Sequence, residues 1–371
     1  MRVPLFIACL ALAGSLYAQP YAAGLDPASP IAWEIEPSRR AGHVQFEISR
    51  RWGSNQWVVS RPVPVTELAG LSAAHLDGQG GPIRFRLVRD AGTLDCEGVA
   101  RRSRGTGECR FQADAGFAAA LAQRGIRTPT PNEQFVMALN GIGLDYVDEL
   151  RRQVYETPSA GTLARAGDHG VGLDYLRAMG AHGYRVGRLE ALIRMRDHGV
   201  TPEYIEALAR YDLRNISPEE IVRLRDHGVT PEFVGEMLQL GYPGLSTDAM
   251  IRLRDHGVTP DYVRTLARHG IRDLSPYELT RLRDHGVTPD FVAALRAHGY
   301  GRFSTSEIVR LRDHGVDGDY VAELSALGYT GLSSEEIVRL RTHGVDPDFI
   351  RRVNGRDRFT PEQLVRLRLG G

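Results

Sequence analysis

The chain has 371 residues, 42% hydrophobic and 25% charged, with 46 basic against 46 acidic side chains. At roughly 100–200 residues per domain this is material for two or three domains, and the composition excludes a wholly disordered or collagen-like chain. Zero formal charge gives no global attraction to nucleic acid or to an anionic membrane. Every basic residue is Arg, so a lysine nucleophile or Schiff base is excluded.

In chain order, the first segment reads as an export signal. Arg2 supplies a positive start, Leu5 to Ala13 an apolar run and Gly14 to Ala18 a small-residue cleavage region. The run is shorter than the roughly 20 residues of a membrane span. Residues 1–18 are therefore expected as a signal peptide and 19–30 as a linker. A lipoprotein alternative would place the lipid on Cys9. No later segment approaches spanning length, so a periplasmic or secreted protein follows, with a Gram-negative bacterium as its expected source.

Residues 31–128 predict a small β-rich module. Val44-Gln45-Phe46-Glu47-Ile48 and Ile83-Arg84-Phe85-Arg86-Leu87 alternate apolar and polar side chains, Trp57-Val58-Val59 adds a strand, and Gly78 to Pro82 marks a turn. Such alternation suits an antiparallel sheet with one buried face. Two short strands, Gly92 to Gly98 and Gly107 to Phe111, with a turn over Arg101 to Gly105, form a hairpin carrying Cys96 and Cys109. An oxidising compartment permits these to pair as a structural disulfide; free buried thiols are the alternative. Arg84, Arg86, Arg89, Arg101, Arg102 and Arg104 cluster here, read as a solvated sheet face rather than an anion-binding surface. Phe117 to Leu121 predicts a helix ending near Gly125.

Residues 129–371 are an array of repeats. His169, His198, His227, His256, His285, His314 and His343 are each 29 residues apart, six of them within Asp-His-Gly and the last in Thr342-His343-Gly344. A degenerate earlier copy carries Asn140-Gly141. A fixed period of this length signifies stacked supersecondary units. One unit shows the design. Ser217-Pro218-Glu219-Glu220 opens a helix with a capping box, and Ile221, Val222 and Leu224 form its apolar stripe. Glu219 and Arg223 make an outer pair, and Gly228 ends the helix. Thr230-Pro231-Glu232 opens a second helix bearing Phe233, Val234, Met237 and Leu238, stopped at Gly241. Helices of about ten residues are unstable alone, so their apolar faces must be buried on neighbouring copies, as in an α-solenoid. The aromatic row Tyr175, Tyr204, Phe233, Tyr262, Phe291, Tyr320 and Phe349 belongs to that core, and the segment from Thr360 closes the array.

Asp and His are metal ligands and general acid-base groups. Each His, however, lies in the last turn of a helix, where the imidazole can cap exposed carbonyls. The row is nearly identical in every unit, whereas a catalytic site needs an asymmetric constellation. The Arg pairs, such as Arg223 and Arg225, come with acidic neighbours and suit inter-repeat ion pairs better than nucleic acid. No His-Glu-x-x-His, Gly-x-Ser-x-Gly or Gly-x-x-x-x-Gly-Lys signature occurs.

The segment Leu224 to Val234 resembles a short helical repeat of exported bacterial proteins, found also as a C-terminal extension of BlaR-type membrane metallopeptidases. Asp90 to Gly98 is similar to the β module preceding such repeats. The peptidase helices and zinc motif are missing from this sequence, so the resemblance implies a freestanding accessory region in the cell envelope and no proteolysis.

The expected fold is α+β, a small antiparallel β-rich N-terminal module followed by an α-solenoid of two-short-helix repeats. The expected function is that of a non-enzymatic, cofactor-free scaffold binding a protein or peptide. Positions that differ between copies would supply the partner surface: Gly235, Glu236 and Gln239 against Arg264, Thr265 and Arg268. An envelope sensor, or a metal-dependent envelope hydrolase using Asp-His groups, is the alternative.

Overall fold

The computed structural model describes residues 31–370 apart from 53–54, 73–74, 76–79, 215 and 355–357. The expected signal peptide and linker, with Cys9, and part of the Gly78 to Pro82 turn lie outside the described residues. The architecture is α+β: an antiparallel sheet followed by short helices in tandem. The chain forms two compact units that divide between Asp197 and His198.

The first unit holds the curled sheet: β1 (Ile31–Pro37), β2 (His43–Trp52), β3 (Asn55–Pro64), β4 (Leu68–Ala69), β5 (Gly81–Arg89), β6 (Gly92–Arg101) and β7 (Arg104–Ala113), in spatial order β3-β2-β1-β7-β6-β5-β4. Every pairing is antiparallel. Alternation puts Ile31, Trp33, Ile35, Val44, Phe46, Ile48, Ile83, Phe85 and Leu87 on one buried face. At its centre the Phe85 ring lies 5.0 Å from Trp33 and 5.9 Å from Phe46, both edge-on.

Glycine makes room for that core. A Cβ on Gly98 would lie 2.7 Å from the Trp33 ring and 2.2 Å from the Thr106 carbonyl oxygen. The indole therefore lies against bare backbone, and its Nε1 donates to the Glu97 carbonyl at 3.2 Å. The β6–β7 turn contracts to Arg102 and Ser103, with φ of 52° and 65°. Two positive φ values match the twist of a two-residue hairpin loop. This register sets Cys96 directly opposite Cys109, and the two are disulfide-bonded and buried. On the outer face Arg84 meets Glu97 at 3.5 Å, Arg86 meets Asp95 at 3.9 Å and Arg104 meets Glu36 at 3.0 Å. These arginines thus form a mixed-charge face.

Helices α1 (Ala115–Gln123), α2 (Pro131–Asn140), α3 (Leu144–Arg152), α4 (Ala160–Asp168), α5 (Leu173–Ala181) and α6 (Leu189–Asp197) complete this unit. Helix α2 packs on β6 and β7. Its Gln134 Nε2 donates to the Ala91 carbonyl at 3.1 Å and the Asp114 carbonyl at 2.8 Å. Asp90, in the β5–β6 turn, accepts from the Leu144 amide at 2.9 Å and so caps α3. The expected boundary at 128/129 falls between α1 and α2, and the helices on both sides of it, as far as α6, belong to the sheet's unit.

The second unit contains α7 (Pro202–Ala209), α8 (Pro218–Asp226), α9 (Pro231–Gln239), α10 (Thr247–Asp255), α11 (Pro260–Arg268), α12 (Pro276–Asp284), α13 (Pro289–Ala297), α14 (Thr305–Asp313), α15 (Gly318–Ala326), α16 (Ser334–Thr342), α17 (Pro347–Val353) and α18 (Pro361–Gly370). The unit read from the sequence recurs here. Ser217 accepts from the Glu220 amide, and Glu220 returns to the Ser217 amide. At the other end the Gly228 amide donates to the Arg225 carbonyl and the Val229 amide to the Leu224 carbonyl, with Gly228 left-handed at φ 66°. That Schellman closure aims Val229 into the core, where it is buried. Second helices are capped by threonine or aspartate: Thr230 accepts from the Phe233 amide, and Asp317 and Asp346 do the same for Tyr320 and Phe349. Helices one repeat apart pack on each other, α8 with α10, α10 with α12 and α12 with α14. Their stripe leucines, Leu224, Leu253, Leu282, Leu311 and Leu340, are fully buried, each contributing about 1.5–3 kcal/mol. Among the described residues no helix is long and apolar enough to cross a membrane.

Candidate functional site

The repeated polar residues are spent on holding one repeat to the next. In each of five units the His Nδ1 faces the aspartate of the following Asp-His-Gly or its equivalent: His169 with Asp197 at 2.6 Å, His198 with Asp226 at 2.7 Å, His227 with Asp255 at 2.7 Å, His256 with Asp284 at 2.6 Å and His285 with Asp313 at 2.6 Å. An earlier rung joins Asn140 Nδ2 to Asp168 at 3.1 Å. Burial pushes the Asp168 carboxyl above its usual range, opposed by the Asn140 hydrogen bond and the Arg61 charge. At the far end the aspartate is replaced by Thr342, and no such rung forms from His314 among the described residues. These five imidazoles therefore bridge repeats, and among the described residues none donates to a helix-end carbonyl, correcting the sequence expectation.

Capping falls to arginine. Arg225 Nε donates to the Gly199 carbonyl at 3.0 Å, Arg283 to Gly257 at 3.1 Å, Arg312 to Gly286 at 3.1 Å and Arg341 to Gly315 at 3.0 Å. Each guanidinium also lies over a member of the aromatic row: Arg225 over Tyr204 at 5.1 Å, Arg254 over Phe233 at 5.3 Å and Arg283 over Tyr262 at 5.0 Å. The tyrosines of that row add a further tie, Tyr204 Oη donating to the Val229 carbonyl at 2.7 Å and Tyr262 Oη to Val287 at 2.9 Å. Arg223 crosses to Asp248 of the next repeat at 2.8 Å. Among the described residues no three His, Cys, Asp or Glu side chains gather where they could hold a metal ion.

The six candidate partner-surface residues divide. Gln239 and Arg268 are exposed, whereas Glu236, Arg264 and Thr265 are half-buried. Arg264 reaches Glu236 at 2.8 Å, so these two bridge repeats. Gly235 is buried and does not belong to an exposed surface: an added Cβ would lie 2.5 Å from Tyr211 Oη. It is a glycine because a tyrosine lies across it.

That tyrosine opens onto a feature which the sequence reading missed. Tyr211, Leu213, Val234, Leu238, Tyr242, Gly244, Leu245 and Met250 line an apolar groove of about 50 Å³. It exists because this repeat departs from its siblings. Leu213 stands in the register of Tyr184, Tyr300 and Tyr329, all buried, and lacks their rings. Beneath it Val234 is only half-buried, whereas Leu176, Ile205, Val263, Val292, Val321 and Ile350 in the same register are buried. Where Ile271 occupies the tyrosine register, Arg296 folds onto Gly270, and Val292 beneath stays covered. The residue in Arg296's register here is Leu238, which is 44% exposed. Burial, with Asp273 and Glu278 nearby, pushes the Tyr242 phenol above its usual range. Aligning the copies at a period of 29 would have revealed Leu213 and Leu238 as departures; their adjacency needed the fold.

No family model matches the chain, and comparison with curated proteins finds no relative.

Proposed function

We propose that the protein is a non-enzymatic, exported scaffold whose helical repeats bind a protein or peptide in the cell envelope. One observation carries this reading. The recurring Asp, His, Arg and aromatic residues are engaged with neighbouring repeats, so the exposed departures between copies are what remains to distinguish a partner. Export is supported by the leader-like composition of residues 1–18 and by the Cys96–Cys109 disulfide. The immobilised full-length chain is expected to retain one partner reproducibly from envelope extract; repeated failure to retain any would overturn the scaffold reading. Stoichiometric zinc in the purified protein, lost on His227→Ala, would overturn its non-enzymatic part.

A further inference from the structure

The sheet has one end at which basic charge is left uncompensated. Strand β1 pairs with β2 on one side and β7 on the other, with Pro37 opposite Val44 and Ile35 opposite Gly105. Arg101 lies opposite Arg104, so β6 turns into β7 through Arg102 and Ser103. This register sets that turn level with the β1–β2 loop at 38–42, one or two strand spacings away, about 5–10 Å. Arg39 and Arg40 of the loop and Arg101 and Arg102 of the turn thereby come to the same end of the sheet. All four are exposed.

These four differ from the other arginines of the hairpins around them. Arg84, Arg86, Arg89 and Arg104 each meet a carboxylate, that of Glu97, Asp95, Glu67 and Glu36 respectively. Among the described residues no hydrogen bond or ion pair holds the guanidinium of Arg39, Arg40, Arg101 or Arg102. Neither 38–42 nor 101–104 contains an acidic residue, and Glu36 beside them is taken by Arg104 at 3.0 Å. Turn geometry does not account for Arg102 either. Its φ is 52°, at a place where such hairpin loops favour Asn or Gly. The stem of Arg101 lies along Gly80, where an added Cβ would come within 3.2 Å of it. Neither turn carries a large apolar side chain, so the end attracts by charge and has no wedge to insert into lipid.

A guanidinium presents a planar fork that matches a phosphate bidentately. Four of them on two neighbouring turns match phosphates displayed side by side over a surface, and exceed what one free phosphate can engage. We propose that this end of the sheet docks on a membrane surface bearing anionic phosphate headgroups, with Arg39, Arg40, Arg101 and Arg102 as its contacts. The inference is independent of the partner-binding reading of the repeats, since no repeat residue takes part.

The full chain is sedimented with phosphatidylcholine vesicles, with and without one third phosphatidylglycerol. Binding to the anionic vesicles is expected to be at least tenfold tighter than to the neutral ones. It should be lost in half-molar sodium chloride, where exposed charges are screened at short range. The variant Arg39→Ser, Arg40→Ser, Arg101→Ser, Arg102→Asn should weaken it at least tenfold with unchanged circular dichroism. Residues 1–18 are common to both chains, so any insertion of their apolar run cancels in the comparison. The control Arg252→Ser, Arg302→Ser, Arg310→Ser, Arg339→Ser removes as much charge from exposed positions of the second unit, and should leave binding within twofold. No preference for anionic vesicles, an unaffected first variant or an equal loss in the control overturns the proposal. Displacement by millimolar inorganic phosphate, beyond that caused by chloride of the same ionic strength, would reassign the site to a free anion. Binding of polyphosphate without binding of vesicles would reassign it to a soluble polyanion. Either result overturns membrane docking.

Discussion

A histidine in this array is a strut. His256, about 40% exposed, reaches Asp284 of the next unit, and exposed pairs of this kind stabilise by about 0.2–1 kcal/mol. His256→Ala is therefore expected to cost at most about 1 kcal/mol in urea unfolding, and His314→Ala, which removes no rung, measurably less. Thr342→Asp would supply the missing carboxylate and should raise stability by a similar small increment; unchanged stability would count against the rung as a source of cohesion. Arginine in the second place of its pair does more, because one guanidinium stacks on a ring and closes a helix end. Lysine has no planar fork to do both. Arg283→Lys is expected to cost about 1–2 kcal/mol, the sum of a lost carbonyl hydrogen bond and a weakened ring contact.

Among the elements, the short helices depend on their ends. Ser217, Ser275, Ser304 and Ser333 open first helices with complete capping boxes, and each Ser→Ala is expected to cost about 1 kcal/mol. The boxes also give stability a pH dependence of definite sign. The Ser217 side-chain hydrogen bond lowers Glu220, and the backbone amides of Ser275 and Ser304 lower Glu278 and Glu307. The unfolded chain titrates these carboxyls near about 4.3, so their contribution is complete above that value and is lost as pH falls through the lower folded values. Melting temperature should drop on acidification across that range, and the drop should be shallower with Ser217, Ser275 and Ser304 all replaced by Ala. In the sheet, the Cys96–Cys109 bond closes a span of 13 residues. A loop of that size corresponds to roughly 3 kcal/mol of chain entropy; reduction should lower the first transition to melt if the sheet unit is the weaker.

At the scale of the whole chain, period and composition made the architecture legible, because a strand alternates at two residues and each repeat carries its own caps. Ser217, Pro218, Glu220 and Gly228 announce a helix and both of its ends without reference to anything distant. What could not be read was which residue meets which across 28 positions. His227 is a cap by position and a bridge by contact, and nothing local to Arg283 says that it will close the turn at Gly257, after the helix Thr247–Asp255. The groove was harder still, since it arises from a missing ring at Leu213 above a core valine in a different repeat. Gly235 varies between copies and yet is buried under Tyr211: variation between copies does not distinguish an exposed position from one filled by a neighbour's tyrosine. Residues that differ among copies are thus of two kinds, and consensus replacement sorts them. Leu213→Tyr should leave folding intact, whereas Gly235→Ala must displace Tyr211 and is expected to cost about 1–3 kcal/mol, as overpacking does.

The indole held against Gly98 has an experimental use. The chain's three tryptophans are Trp33, Trp52 and Trp57, all on β1, β2 and β3, while the second unit is composed of helices and has none. Intrinsic fluorescence excited at the tryptophan band consequently reports the sheet alone, and ellipticity at the helical minimum reports chiefly the repeats. A single unlabelled sample therefore carries two independent optical channels, one per kind of secondary structure. Any lag between them during denaturation measures directly how tightly the fate of the strands is tied to that of the helices.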